Sequence, residues 1–147
     1  MTSQRLGEYV QVRLAEVGFA DENGVEGVLR LKSNAKSFSM RAFSGDLAMH
    51  ISRFSRGDRS SIPSVFNIIE ELAEKNGVHL AYVEVYPSGR VLRSDLYFAG
   101  KNGDSVLQGY RASDGIALAL FYDAPIMLHN SLLESDGESE PGSEGGV

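Results

Sequence analysis

Three residues of complementary chemistry stand together near the start of the segment Tyr110 to Leu128. Arg111 is a cation, Ser113 carries a hydroxyl and Asp114 carries a carboxylate. They precede an apolar run without a polar face, which predicts a buried helix. Because free amides and the helix dipole favour negative charge at a helix N-terminus, this grouping predicts a phosphate or anion site. The alternative is structural: Ser113 or Asp114 caps the helix, and Arg111 pairs with Asp114.

An earlier segment repeats this order of residue types. The stretch Arg41 to Ile51 aligns without a gap with Arg111 to Phe121, and their arginines, the alanines that follow and their glycines coincide. Each stretch follows a predicted strand and begins a predicted helix, which indicates an internal duplication of three strands plus a helix. In this alignment Ser44 stands opposite Asp114, so the earlier copy offers a hydroxyl where the later one offers an acid.

The elements that must position these residues follow from periodicity and turn signals. Alternating apolar residues predict strands, and an apolar stripe at helical spacing predicts an amphipathic helix from Pro63 to Lys75. Together they predict an α+β fold, with a mixed, largely antiparallel sheet of about six or seven strands and about three helices. The predicted strands are Tyr9 to Val17, Val25 to Lys32, Ser37 to Arg41, Val78 to Tyr86, Val91 to Ala99 and Ser105 to Arg111.

The stretch ASDGIALAL, followed by AP and IML, resembles the signature of the bifunctional nuclease family. The usual form in that family is Arg-Pro-Ser-Asp-Ala-Ile-Ala-Leu-Ala-Leu, then a short gap and Ala-Pro-Ile. The resemblance extends more weakly over about residues 9 to 134, through the order of strands and helices. It implies a mixed-sheet α+β fold and hydrolysis of phosphodiesters in both RNA and DNA.

The resemblance also implies roles for individual residues. Asp114, Arg111 and Ser113 become the catalytic candidates, and Asp114 becomes the candidate ligand of a divalent metal, Mg or Mn. Arg111 and Arg41 become the candidates for binding phosphate. Arg53 opens the basic stretch RFSRGDR, whose arginines either contact phosphates or form a solvated charged loop.

Four departures from the family pattern support a second hypothesis. Ala112 replaces the usual proline, Gly115 replaces the usual alanine, and Ser44 stands where the family often has Glu. Before the long helix, Ile62 and Pro63 or their neighbours replace a His-Asp pair of the kind that transfers protons or binds metal. The second hypothesis is therefore a non-catalytic member of the fold that binds a nucleic acid, a small anion or a protein partner.

Composition limits the remaining choices. The 147 residues include no cysteine, which excludes thiolate catalysis and cysteine-based zinc sites. No apolar run is long enough to span a membrane and the N-terminus lacks a signal-peptide core, so the sequence predicts a cytoplasmic protein without a membrane partner. A homo-oligomer is compatible with the sequence.

The net charge of −6 lies mostly at the C-terminus. Residues 134–147 contain five of the twenty acidic residues. The rest of the chain therefore has fifteen acidic and fourteen basic residues and a net charge of about −1. The sequence therefore predicts a nuclease-like domain over residues 1–133, near neutral, and an acidic disordered tail over residues 134–147. A domain near neutrality permits RNA or DNA as a partner through a local basic face.

Overall fold

The computed structural model describes residues 8–136 and the backbone of residues 142–143. These residues form one nine-stranded sheet and three α-helices, which confirms the predicted α+β fold. The strands are β1 (Tyr9–Phe19), β2 (Glu26–Ser33), β3 (Lys36–Ser44), β4 (Val78–Ser88), β5 (Val91–Gly100), β6 (Ser105–Arg111), β7 (Ile126–His129), β8 (Glu134–Ser135) and β9 (Gly142–Ser143). The helices are α1 (Gly45–Ser55), α2 (Val65–Lys75) and α3 (Ala112–Tyr122), and a 3₁₀ turn covers Asn130–Leu132.

Two antiparallel meanders meet at the short strand β7. The strand order is β6-β5-β4-β7-β1-β2-β3-β8, and β9 pairs with β3 off this path. The β7 strand runs parallel to β4 and antiparallel to β1, so the sheet is mixed but largely antiparallel. Each meander is followed by a helix of 11 residues, α1 in the first half and α3 in the second. The internal duplication stays a prediction.

Helix α3 forms the centre of the core, as its apolar sequence predicts. Ile116, Ala117, Ala119 and Phe121 are all fully buried. The Phe121 ring packs edge-on against Phe54 of α1 at a centroid distance of 5.1 Å. Because most of the α3 surface is covered in this way, its first turn is held in a fixed position relative to the sheet.

Helix α2 begins later than predicted and buries less of its apolar stripe. Ser64 and Asn67 form a capping box, so the helix starts at Val65 and Pro63 lies before it. Phe66 and Ala73 are its buried residues. Other apolar side chains of α2 point to solvent instead: Val65, Ile68 and Leu72 are 58%, 57% and 58% exposed.

The segment predicted to be a disordered tail begins inside the sheet. Glu134 and Ser135 form β8 and pair with Ser37 and Lys36 of β3. The backbone N–H of Asp136 donates to the Ala35 carbonyl at 3.1 Å. Residues 137–141 and 144–147 lie outside the described residues. Among the helices of the described chain, none combines the length and hydrophobicity needed to traverse a bilayer.

Candidate functional site

The corner between β6 and α3 presents the predicted cation and carboxylate to solvent as an ion pair. Nε of Arg111 donates to Oδ2 of Asp114 at 3.0 Å, and Nη2 of Arg111 donates to Oδ1 at 3.3 Å. The two side chains are 47% and 45% exposed. Exposed charges lose little hydration, so a ligand phosphate can compete for the guanidinium at small cost.

The start of α3 differs from the prediction. Arg111 is the N-cap residue with extended backbone angles, and its side chain makes no capping hydrogen bond. The prediction that Ser113 or Asp114 caps the helix is wrong, because the helix begins at Ala112 and both residues already lie inside its first turn. Ser113 is 1% exposed and therefore faces the interior. The structure brings Arg111 and Asp114 together at the surface but does not present the Ser113 hydroxyl beside them.

Ser94 on β5 holds this corner in place, although no motif in the sequence points to it. Its hydroxyl is fully buried and donates to the Arg111 carbonyl at 3.0 Å. A Cβ atom on Gly115 would lie 2.3 Å from the same hydroxyl oxygen, so only glycine lets α3 approach β5 this closely. Glycine in place of the family's usual alanine was the one sequence signal of this close approach.

An apolar cleft opens beside the ion pair. It encloses about 390 Å³ between α2, β5, β6 and the first turns of α3. Asp114 contributes the one carboxylate of its lining, so this group borders solvent on one side and largely apolar side chains on the other. The lining residues are Val65, Phe66, Ile69, Leu96, Phe98, Leu107, Tyr110, Asp114 and Leu118.

The earlier corner, at Arg41, is built differently. Nε of Arg41 donates to Oε2 of Glu26 at 3.0 Å, and Nη2 donates to Oε1 at 3.2 Å. The hydrogen bond from Arg41, together with the Ala42 backbone N–H, lowers the pKa of Glu26. The pKa of Arg41 is raised by the same pair. Arg41 therefore already has an acid partner on a neighbouring strand.

The strand order does not unite the two corners along the sheet. β6 is the terminal strand at one edge, whereas β3 lies near the other edge beside β8. Helices α1 and α3 do pack against each other, through contacts such as that between Phe54 and Phe121. The arrangement supports Arg111 as a candidate phosphate-binding residue more directly than it supports Arg41.

Arg53 is placed inside the protein. It lies on α1 and is 7% exposed, whereas the sequence suggested a basic loop. Its Nη2 lies 2.6 Å from Nδ1 of His50, and its Nη1 lies 3.8 Å from Oδ1 of Asp58. A buried guanidinium with these partners is not presented to a polyanion, so its placement does not support the predicted phosphate contact.

Two buried acids lie on the strands behind the corner. Glu84 and Asp95 are directly opposite each other on β4 and β5 and are 0% and 3% exposed. The Tyr97 hydroxyl donates to Glu84 at 2.8 Å, and the Tyr86 hydroxyl donates to Asp95 at 2.7 Å. Asp95 also accepts from the backbone N–H of Gly109 at 3.0 Å. These contacts give Asp95 a structural role in shaping β6, and sequence alone could not show that it is buried.

The residues around Asp114 do not form a recognisable metal-binding set. Across residues 8–136, no group of three or more His, Asp or Glu side chains is arranged to hold a metal ion. Asp114 supplies one carboxylate, and both of its oxygens accept from Arg111. Structural and catalytic sites for Mg or Mn usually draw on several oxygen ligands. Binding of Mg or Mn at Asp114 stays a prediction.

Comparison with known proteins identifies the family. No curated protein matches the chain. The family model described as the bifunctional nuclease domain matches residues 42–141. The matched region contains α3, the ion pair and the cleft, begins directly after Arg41 and extends beyond residue 133. It covers well over half of the 147 residues, which confirms the resemblance seen in the signature segment. The chain therefore belongs to the bifunctional nuclease domain family, and its function is nuclease-like at the level of that family.

Proposed function

We propose that this chain hydrolyses phosphodiester bonds in RNA and DNA and that the corner between β6 and α3 is its site. Family membership supports the class of reaction. The observation that carries the choice of site is the solvent-exposed pair of Arg111 and Asp114 at the rim of the cleft. A cation and a carboxylate within one turn are the groups that phosphodiester hydrolysis needs, one for the phosphate and one for the water.

In this proposal Arg111 exchanges its partner when substrate binds. Its guanidinium presents two parallel N–H donors, now used by Asp114, and the same fork matches two oxygens of a phosphodiester. Once the phosphate occupies the guanidinium, the Asp114 carboxylate is free to accept a proton from an attacking water. The water oxygen bonds to phosphorus, the ester oxygen leaves, and solvent returns a proton to the leaving oxygen.

The test is cleavage of labelled single-stranded RNA and DNA by the parent chain and by Asp114→Asn, each measured with and without Mg or Mn. The proposal expects Asp114→Asn to lower the cleavage rate by about 100-fold or more, because proton transfer by a positioned group contributes about that much. Its effect on unfolding should stay within about 1 kcal/mol, the ceiling for an exposed ion pair.

Asp46→Asn is the matched control. Asp46 also lies in the first turn of a helix that follows a meander, and its side chain is 83% exposed. It stands outside the cleft lining, so its removal should leave cleavage unchanged. The proposal would be contradicted if the parent cleaved neither substrate with or without Mg or Mn. It would also be contradicted if Asp114→Asn and Asp46→Asn lowered the cleavage rate equally.

A second candidate function is anion or nucleic-acid binding without hydrolysis. The observation that favours it is the complete engagement of Asp114, since both carboxylate oxygens accept from Arg111. A carboxylate held in this way orients the guanidinium for a ligand instead of activating water. Binding of oligonucleotides that weakens steeply with salt, with no turnover and with loss in Arg111→Gln, would select this function.

A further inference from the structure

An apolar surface on one side of the molecule points to a second copy of this chain. Ten large hydrophobic side chains are exposed in the described residues, and six of them lie on α2 and β6. They are between 41% and 58% exposed. Scattered exposed hydrophobic residues are ordinary, but a contiguous group indicates a contact surface. The six are Val65, Ile68, Leu72, Val106, Leu107 and Tyr110.

Five of these side chains form one continuous surface around the cleft, whereas Val106, which lies opposite Tyr97, points to the other face of the sheet. Val65 from α2 lines the same cavity as Leu107 and Tyr110 from β6. Leu72 lines a neighbouring cavity of about 280 Å³ that also contains Leu107. A bulge in β6 at Gly109, where φ is +81°, sets Leu107 opposite Leu96 and Tyr110 opposite Ser94. Leu107 and Tyr110 therefore face the same side of the sheet, toward α2.

The β6 strand also provides an open backbone edge. It is the terminal strand of the sheet, and all seven of its residues are exposed. Its sequence, SVLQGYR, contains neither lysine nor proline, the residues that most often protect such an edge. Within the described part of the chain, the outer N–H and C=O groups of this strand have no neighbouring strand to bond to.

We propose that this surface is the interface of a two-fold dimer. In it, β6 pairs antiparallel with β6 of the second copy, and the exposed apolar stripes of the two α2 helices meet across the axis. A two-fold axis brings identical patches together, so an edge strand and an adjacent apolar helix are sufficient for a closed, self-complementary contact.

The area agrees with this assignment. Five half-exposed side chains, each about 150 Å² or more in full, present roughly 400 Å² of apolar surface. A standard interface buries about 800 Å² per partner and is about 60% apolar, which requires a similar apolar area. A nucleic acid fits the α2 side of this surface less well, because Glu70, Glu71 and Glu74 on α2 would repel a polyanion.

The first test is the mass of the full chain in solution by analytical ultracentrifugation over a range of concentrations. The proposal expects a species of twice the 16.0 kDa chain mass. Ile68→Lys and Val106→Lys each place two charges in a two-fold interface, so each should raise the dimer dissociation constant by about 100-fold or more. Val25→Lys is the matched control, because Val25 is 71% exposed and lies outside α2 and β6.

The second test uses single cysteines, which the cysteine-free chain permits. When two β6 strands pair antiparallel about a two-fold axis, one position near the middle of the strand lies next to its own copy. A cysteine at that position should therefore form an intermolecular disulfide much faster than a cysteine at the end of β6, in Ser105→Cys, or a cysteine outside β6, in Val25→Cys. A monomeric parent at high concentration would overturn the proposal. So would variants that retain the dimer mass, or variants that lose oligonucleotide binding without any change in mass, which would assign the surface to nucleic acid.

Discussion

Replacing Gly115 with alanine should destabilise the protein, although alanine is the better helix former. A Cβ atom at this position would lie 2.3 Å from Oγ and 2.6 Å from Cβ of Ser94. It would also lie 3.2 Å from Cγ1 of Val83. Carbon atoms make favourable contacts at about 3.5–4.0 Å, so the two contacts with Ser94 are strongly repulsive unless α3 moves away from β5.

The magnitude follows from two opposing effects. Overpacking a filled core usually costs about 1–3 kcal/mol, and contacts this short place Gly115→Ala near the upper end. Replacing glycine with alanine in a helix interior raises the free energy of unfolding by about 1 kcal/mol through helix propensity. The expected net loss in the free energy of unfolding is therefore about 2 kcal/mol. In a domain of this size that corresponds to a fall in melting temperature of roughly 4–8 °C.

The assay is equilibrium unfolding in urea for a double-mutant cycle with Ser94→Gly. Ser94→Gly alone should cost about 1–2 kcal/mol, because it removes the hydrogen bond to Arg111 and leaves a glycine in a strand. In that background both short contacts with Ser94 are gone, so Gly115→Ala should become neutral or stabilising. Gly18→Ala is the control, since a Cβ there would meet nothing within 4 Å. The reasoning would be refuted if Gly115→Ala left the free energy of unfolding of the parent unchanged or raised it. It would also be refuted if Gly115→Ala lowered the free energy of unfolding equally in the parent and in Ser94→Gly.

Three further predictions concern other positions. Ala42 has φ of +69°, so Ala42→Gly should stabilise the fold by about 1 kcal/mol in urea unfolding, and a loss would contradict the assigned strain. Folding lowers the pKa of Glu26 below its ordinary value of 4.5. The ion pair with Arg41 therefore contributes fully to the free energy of unfolding above pH 4.5, and this contribution is lost as the pH falls through the pKa of Glu26 in the folded protein. Glu26→Gln should therefore differ from the parent in stability at neutral pH and converge with it in acid, whereas a pH-independent difference would count against the pair. The Tyr122 hydroxyl is buried without a hydrogen-bond partner in the described residues, so Tyr122→Phe should be neutral or stabilising by about 1 kcal/mol, as thermal unfolding can show.

The prediction of the fold succeeded where it depended on local patterns. Alternation of apolar residues identifies strands such as β4 and β5 without reference to the rest of the chain, and the uniform apolarity of α3 predicts its burial. Element boundaries were less accurate, because the capping box of Ser64 and Asn67 moved the start of α2 to Val65. The pairing of Glu134 and Ser135 with β3 could not be foreseen, since an acidic segment gains order here from a neighbouring strand and not from its own composition.

The sequence by itself determined the family, the fold class and the proximity of Arg111 to Asp114, because residues three apart at a helix start necessarily lie on the same side. Tertiary structure alone decided which polar groups meet solvent. It turned Ser113 inward, buried Arg53 against His50, and left the apolar residues of α2 and β6 exposed around a cleft. The physical reason is that burial depends on which distant element covers a side chain, and spacing along one segment carries no information about that neighbour.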